Sequence, residues 1–278
     1  MASRGRIGAF GLGTLAALLA AAGSIAEEPW TALEPGLDLG VFRPASRTDA
    51  DAVVVRVLRI DPTRFRLRLL NASGSGEGAP RTAKEWCARH GFAAAINASM
   101  YQEDLRTSVS LMRTKGHVNN PRLSKDMTVL AFDRLDPGVP EVQIIDRECQ
   151  DFDALRSRYG TLVQSVRMVS CARRNVWTPQ ARRASVAAVG VDDRGRVLFI
   201  HSATPLPTHD LIDLLLDLPI GVARAMYAEG GSESQMFVRA GGKEHEFVGG
   251  FRSGPDAGAS SGRATPVPNV IAAERIVP

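Results

Sequence analysis

Residues 225–238 read AMYAEGGSESQMFV and gather much of the polar chemistry this chain can bring to one place. Ala225 to Ala228 have the character of a short apolar strand, which runs into Glu229-Gly230-Gly231-Ser232 and resumes from Gln235 to Val238. Two adjacent glycines after a strand let the backbone turn sharply and bring its N–H groups close to a ligand, because no Cβ stands in the way. Glu229 at the strand end and the hydroxyls of Ser232 and Ser234 then converge on one spot suited to a polar, even anionic, substrate. The same residues also fit an ordinary hairpin with a polar turn.

Four further segments place polar residues at strand ends: Asn97 to Tyr101, Gln164-Ser165, Arg182-Arg183 and His201-Ser202. The elements that carry them follow from patterning. Ala52–Ile60 and Arg64–Leu70 read as strands joined into an antiparallel hairpin by Asp61-Pro62-Thr63. Thr82-x-x-Glu85 is a capping box opening a helix that Gly91 ends, and Phe92–Ile96 is a small-residue buried strand. Strands are expected over Thr107–Arg113, Met127–Phe132 and Thr161–Ser165, the last preceded by a helix from Asp151 to Tyr159. Ser185–Val191 and Val197–His201 flank a hairpin turn, and Thr208 can cap a helix from Asp210 to Leu218. Val270–Ala273 returns as a strand after the Gly/Ser-rich tract 253–263. Strands outnumber helices, so the expected class is α+β: a single domain with a mixed, largely antiparallel sheet flanked by a few helices.

The first 26 residues differ from the rest. Arg4 and Arg6 precede an uncharged Ala/Leu/Gly-rich run from Ile7 to Ala26, and Ser24-Ile25-Ala26 supplies small residues for cleavage. Residues 1–26 therefore read as a signal peptide, 27–49 as an N-terminal extension and 50–278 as the functional domain. The expected location is exported, periplasmic or extracellular, with no stable membrane span once the signal is removed. Without Arg4 and Arg6 the formal charge falls from +4 to +2, and only four of the 34 basic residues are Lys. Scattered arginines with no basic block argue against a nucleic-acid partner. Of Cys87, Cys149 and Cys171, one pair can join in an oxidising compartment; Cys149–Cys171 is favoured, although sequence does not fix connectivity. No CxxC or His-x-x-x-His spacing is present, so no metal site or cofactor is assigned. Asp, Glu and Asn ligands have no fixed spacing here, which leaves a divalent cation an open question.

The order and spacing of the polar strand ends resemble the phosphodiester glycosidase family over roughly residues 50–275. The family's I-N-A-G-M-[FY] is met by Ile96-Asn97-Ala98-Ser99-Met100-Tyr101, its Q-S-G-P element by Gln164-Ser165-Val166-Arg167, its Arg-led hairpin by Arg183 to Phe199, and its L-D-G-G-x-S-[ST] by Ala228 to Ser234. The resemblance implies cleavage between a sugar's anomeric carbon and a phosphodiester, with a carbohydrate or sugar phosphate as partner. Phosphate leaves readily, so stabilising its oxygens and an oxocarbenium-like sugar matters more than protonating the leaving group. On that reading Glu229 is the essential carboxylate, Arg183 the phosphate clamp, with Arg182 competing for the same role, and Asn97 a catalytic positioning group. Gln164, Ser165, Gly230, Gly231, Ser232, Ser234 and His201 contact substrate.

Four positions depart from the family pattern. Glu229 stands where Asp is usual, Glu233 where Ser is usual, Ser99 replaces a glycine, and Val166-Arg167 replaces Gly-Pro. An extra methylene shifts a carboxylate by about 1 Å, enough to cost roughly a hundredfold in rate. The alternative is therefore a catalytically impaired relative that binds a glycan or sugar phosphate without turnover. A distorted nucleophile elbow of a serine hydrolase fits less well, because Ser234 occupies the position that needs glycine.

Overall fold

A computed structural model describes residues 1–2, 29–43, 53–250 and 263–277. The expected signal peptide falls almost wholly outside the described residues, as does most of the Gly/Ser-rich tract.

The chain builds three sheets, and every strand pairing among the described residues is antiparallel. The first has seven strands in the order Trp30–Glu34, Leu37–Phe42, Val55–Ile60, Val197–Leu206, Ala184–Asp192, Val222–Gly230 and Arg167–Val169. The second has five: Val118–Asn120, Met112–Arg113, Tyr159–Ser165, Thr128–Arg134 and Gln143–Asp146. The third also has five: Lys243–Val248, Gln235–Ala240, Ala94–Asn97, Asn269–Arg275 and Phe65–Asn71. The stretch read as an N-terminal extension thus supplies two strands of the largest sheet.

One apolar cluster joins all three sheets, with Leu37 and Leu58 from the first, Leu130 and Val163 from the second, and Ile96 and Met236 from the third. Each sheet turns its other face to a helix. Thr208–Asp217 lays Leu211, Ile212 and Leu215 on the first, Phe152–Arg156 lays Phe152 on the second, and Ala83–His90 lays Trp86 and Cys87 on the third. The largest sheet is therefore buried on both faces, which explains continuous apolar runs such as Val186 to Val189. The α+β architecture is the one expected.

Several local expectations need correction. Val55–Ile60 and Phe65–Asn71 do not form a hairpin: the first pairs with Leu37–Phe42 and Val197–Leu206, the second with Asn269–Arg275. Asp61 accepts from the N–H and hydroxyl of Thr63, at 2.8 and 2.7 Å, and this turn carries the chain from one sheet to another. Of Thr107–Arg113 only Met112–Arg113 is strand, because side chains satisfy the backbone before it: Asn119 accepts from the Ser108 N–H, and Asn120 and Gln102 donate to its carbonyl. The helix after Asp151 stops at Arg156, and the helix at Thr208 is preceded by Pro207 with no side-chain cap. The Thr82/Glu85 capping box and the left-handed Gly91 stop are present. Cys149 and Cys171 are joined, and Cys87 is buried and free.

Candidate active site

The strand Val222–Gly230 reaches the acidic turn through a bulge. Tyr227 lies opposite Ala188, yet Glu229 lies opposite Ala187, so Ala228 is an extra residue in the ladder. Directly opposed residues share a face. Ala187 belongs to the core between the sheets and Ala188 to the core on the helix side. The bulge therefore turns Glu229 toward the inter-sheet face, while Tyr227 stays on the face packed by Val186 and Ala188. Simple alternation would have put Tyr227 and Glu229 together.

Gly230 is extended, and a Cβ there would fall 2.0 Å from the Tyr227 hydroxyl. Gly231 has φ of +68°, which starts the short turn Gly231–Glu233 before the chain re-enters the third sheet at Gln235. The double glycine is thus explained by two separate demands, one steric and one conformational.

The amide residues expected to meet substrate hold the site's backbone instead. Asn97 donates to the Glu233 carbonyl at 3.0 Å and accepts from the Gln235 N–H at 2.7 Å. Gln164 is fully buried: its oxygen accepts from the N–H groups of Ser124 and Leu111, and its nitrogen donates to the carbonyls of Ser124 and Asp126. Ser165 donates to the Tyr227 carbonyl and thereby ties the second sheet to the bulged strand. Ser99 does similar work through a 3.1 Å bond to the Gln164 carbonyl.

Glu229 is half-buried and accepts from the Gly230 N–H at 3.0 Å. Burial, opposed by that N–H and reinforced by the charge of Glu233, lifts its carboxyl to about 7. Tyr101 is pushed up to about 12 by burial and by the charges of Glu229 and Glu233, and Tyr227 is raised by the same three influences while Arg182 opposes them. These couplings define the group that surrounds the turn: Glu229, Glu233, Tyr101, Tyr227 and Arg182. Ser232 donates to Glu233 at 3.0 Å and so belongs to it, whereas Ser234 is buried and donates back to the Gly231 carbonyl.

Two expected participants lie elsewhere. Arg183 is exposed, and its Nε donates to the Pro205 carbonyl at 3.3 Å; its neighbour Arg182 is the arginine whose charge reaches Tyr227. His201 is fully buried and held near 4, mainly by burial, with Nε2 3.4 Å from the Ser234 carbonyl. A carbonyl only accepts, so Nε2 carries the proton and His201 supports the turn from below. Tyr227 has no role expected from the sequence, whereas Arg182 competes there with Arg183 for one role. The signal for Tyr227 was its place two residues before the carboxylate, but the bulge that gives it a different face from Glu229 leaves no mark in the residue pattern.

An antiparallel three-sheet α+β fold thus frames a half-buried carboxylate beside a double-glycine turn. Residues 90–274 match the family described as phosphodiester glycosidase, and the chain belongs to that family. A comparison with curated proteins finds no match. Among solved structures the chain is similar to the catalytic domain of zebrafish N-acetylglucosamine-1-phosphodiester alpha-N-acetylglucosaminidase, auto-inhibited by its pro-peptide, with 13% identity, 87% of this chain and 85% of that one covered, and a TM-score of 0.63. It is also similar to a hypothetical protein from Synechocystis, with 13% identity, 86% of this chain and 62% of that one covered, and a TM-score of 0.56. At such identities the likeness speaks for the fold. Among the described residues no helix is long and apolar enough to cross a membrane.

Proposed function

We propose that the protein is an exported hydrolase that cleaves the glycosidic bond of a sugar-1-phosphodiester in the cell envelope or outside the cell. The observation that carries this reading is the bulge at Ala228, which aims Glu229 into the inter-sheet space with its carboxyl held near neutrality. A group poised there takes a proton efficiently at neutral pH. In the reaction the bond from C1 to the phosphate oxygen breaks with its electron pair leaving on phosphate, water oxygen bonds to C1, and a water proton passes to Glu229. The negative charge of Glu233 and the ionised fraction of Glu229 favour positive charge developing on the sugar. Arg182, whose charge acts at Tyr227, and Arg183, bonded to the Pro205 carbonyl, are the two arginines open to the role of phosphate-facing cation. Asn97, Gln164 and Ser165 act through the backbone they fix.

The binding-only reading has a specific support of its own: Asn97 and Gln164 spend their side-chain bonds on the protein. One experiment separates the two. Purified protein and Glu229→Gln are offered a panel of sugar-1-phosphodiesters, and free sugar is measured. Release by the wild type alone supports the hydrolase. Release by both removes Glu229 from its role. No release by either, with sugar phosphates raising the melting temperature, leaves a binding protein.

A further inference from the structure

A cleft of about 810 Å³ lies away from Glu229, between the strand Phe65–Asn71 and the strand Thr128–Arg134, closed on one side by Lys115-Gly116. A second cleft of about 380 Å³ adjoins it, sharing Thr63, Phe65 and Ile276 and extending to Arg64 and Arg275. The strand registers place this groove at the far end of the sheets. Asn71 and Asn97 both pair near the start of Asn269–Arg275, whereas Phe65 pairs with Arg275 at its end. Likewise Ser165 pairs with Thr128 at the site end, and Tyr159 with Arg134 at the groove end. Six strand residues separate the two levels, roughly 20 Å.

The groove has a charge pattern written into the sequence. Phe65, Leu67 and Leu69 are buried, so the alternating Arg64, Arg66 and Arg68 face outward along an edge strand at intervals of roughly 7 Å. Arg68 is bonded to Glu274, Arg275 to Glu34 and Arg134 to Glu141, while Asp133 accepts from Thr161. Arg64, Arg66 and Lys115 have no such side-chain partner among the described residues. The groove therefore presents a row of unmatched cations beside acids that are already engaged. The ring systems beneath it, Phe65 and Phe132, are 3% and 1% exposed, so no platform is offered on which nucleobases could stack.

We propose that this groove is a second binding site that holds an anionic stretch of a phosphodiester-linked glycan chain while Glu229 works at a distant residue of the same polymer. The identity of the chain rests on the glycosidase reading; the cationic groove does not. Guanidinium forks suit tetrahedral phosphate oxygens, and a row of them suits successive phosphates of one chain. The substrate class that follows is polymeric rather than a small sugar phosphodiester.

The test uses the full protein, Glu229→Gln, and the triple variant Arg64→Ala/Arg66→Ala/Lys115→Ala. The probe is a glycerol-phosphate polymer, with polyglutamate of equal charge as its comparison. Glu229→Gln should bind the polymer as tightly as the wild type. The triple variant, folded as judged by an unchanged melting temperature, should bind it at least roughly tenfold more weakly at low salt. It should also turn over a short soluble substrate at the wild-type rate. Equal polymer binding by wild type and triple variant overturns the site, and so does equally tight binding of polyglutamate. Polymer binding that the triple variant loses, in a protein with no turnover of any substrate, keeps the groove and removes the glycosidase.

Discussion

The hydroxyl of Tyr227 occupies the space that a side chain at Gly230 would need: a Cβ on Gly230 would sit 2.0 Å from that oxygen and 3.2 Å from the ring carbon bearing it. This close approach lies on the face of the strand opposite Glu229. Gly230→Ala should destabilise the fold by about 1–3 kcal/mol through overpacking and should lower activity. Adding Tyr227→Phe removes the nearest atom. The double variant should therefore recover part of the stability lost, as read by urea unfolding, while Tyr227→Phe alone costs little. Additive losses would show that the two residues are not in contact.

The pH profile of kcat/KM should fall on the acid side through about 7, because Glu229 must be ionised to accept a proton and its carboxyl is raised to that value. Glu229→Gln should remove the limb together with most of the rate. An acid limb near 4.5 in the wild type would mean that Glu229 is exposed in solution or is not the base.

Stability carries a second and opposite signature. Between pH 4.5 and 7 folded Glu229 keeps a proton that the unfolded chain has lost, so its contribution weakens as pH rises through that window. His201, held near 4 against an ordinary 6.5, does the reverse: the unfolded chain binds its proton first, so stability is lost as pH falls from 6.5 toward 4. The two slopes oppose each other over pH 4.5–6.5. The wild type should be nearly flat there as far as these groups decide, and Glu229→Gln should unmask the His201 slope, about 1.4 kcal/mol per pH unit. Above pH 7 the Gln variant should be the more stable protein.

Gln164→Ala should act as a folding mutation. The N–H groups of Leu111 and Ser124 lose their partner, and the carbonyls of Ser124 and Asp126 keep only Arg147, at an expected cost of about 2–4 kcal/mol. KM for a short substrate should move less than the melting temperature. A large KM change with unaltered stability would restore Gln164 to the substrate.

Replacing Cys149 and Cys171 with Ser opens a loop of 22 residues that contains Gln164 and Ser165. The expected loss is about 3 kcal/mol. Asp146 limits the damage, since it still binds Arg167 and the Cys171 N–H. The variant should therefore fold with a lowered urea midpoint rather than fail to fold.

Much of the fold was legible because it rests on local chemistry. The Thr82/Glu85 box, the Asp192–Arg196 hairpin and the buried runs after residue 184 are each specified by neighbouring residues. Partnership between sheets was not. Nothing near Asp61-Pro62-Thr63 shows that its two strands belong to different sheets, since their partners lie far away in sequence. At the candidate site the residue types drew attention to the turn after Glu229, but orientation decides roles. An unpaired Ala228, invisible to any period-two pattern, separates Tyr227 from Glu229, and Arg182 rather than Arg183 has the charge that acts there.

The strand Asn269–Arg275 lies between Ala94–Asn97 and Phe65–Asn71, far along the chain from both yet inside their sheet. During synthesis the two flanking strands emerge about two hundred residues before the one that joins them. The scaffold of Asn97 therefore cannot close until this strand has been made. Contacts of such sequence separation make for slow, late folding. A chain cut before Asn269 would keep every residue of its carboxylate turn but lose the strand that ties Ala94–Asn97 to Phe65–Asn71.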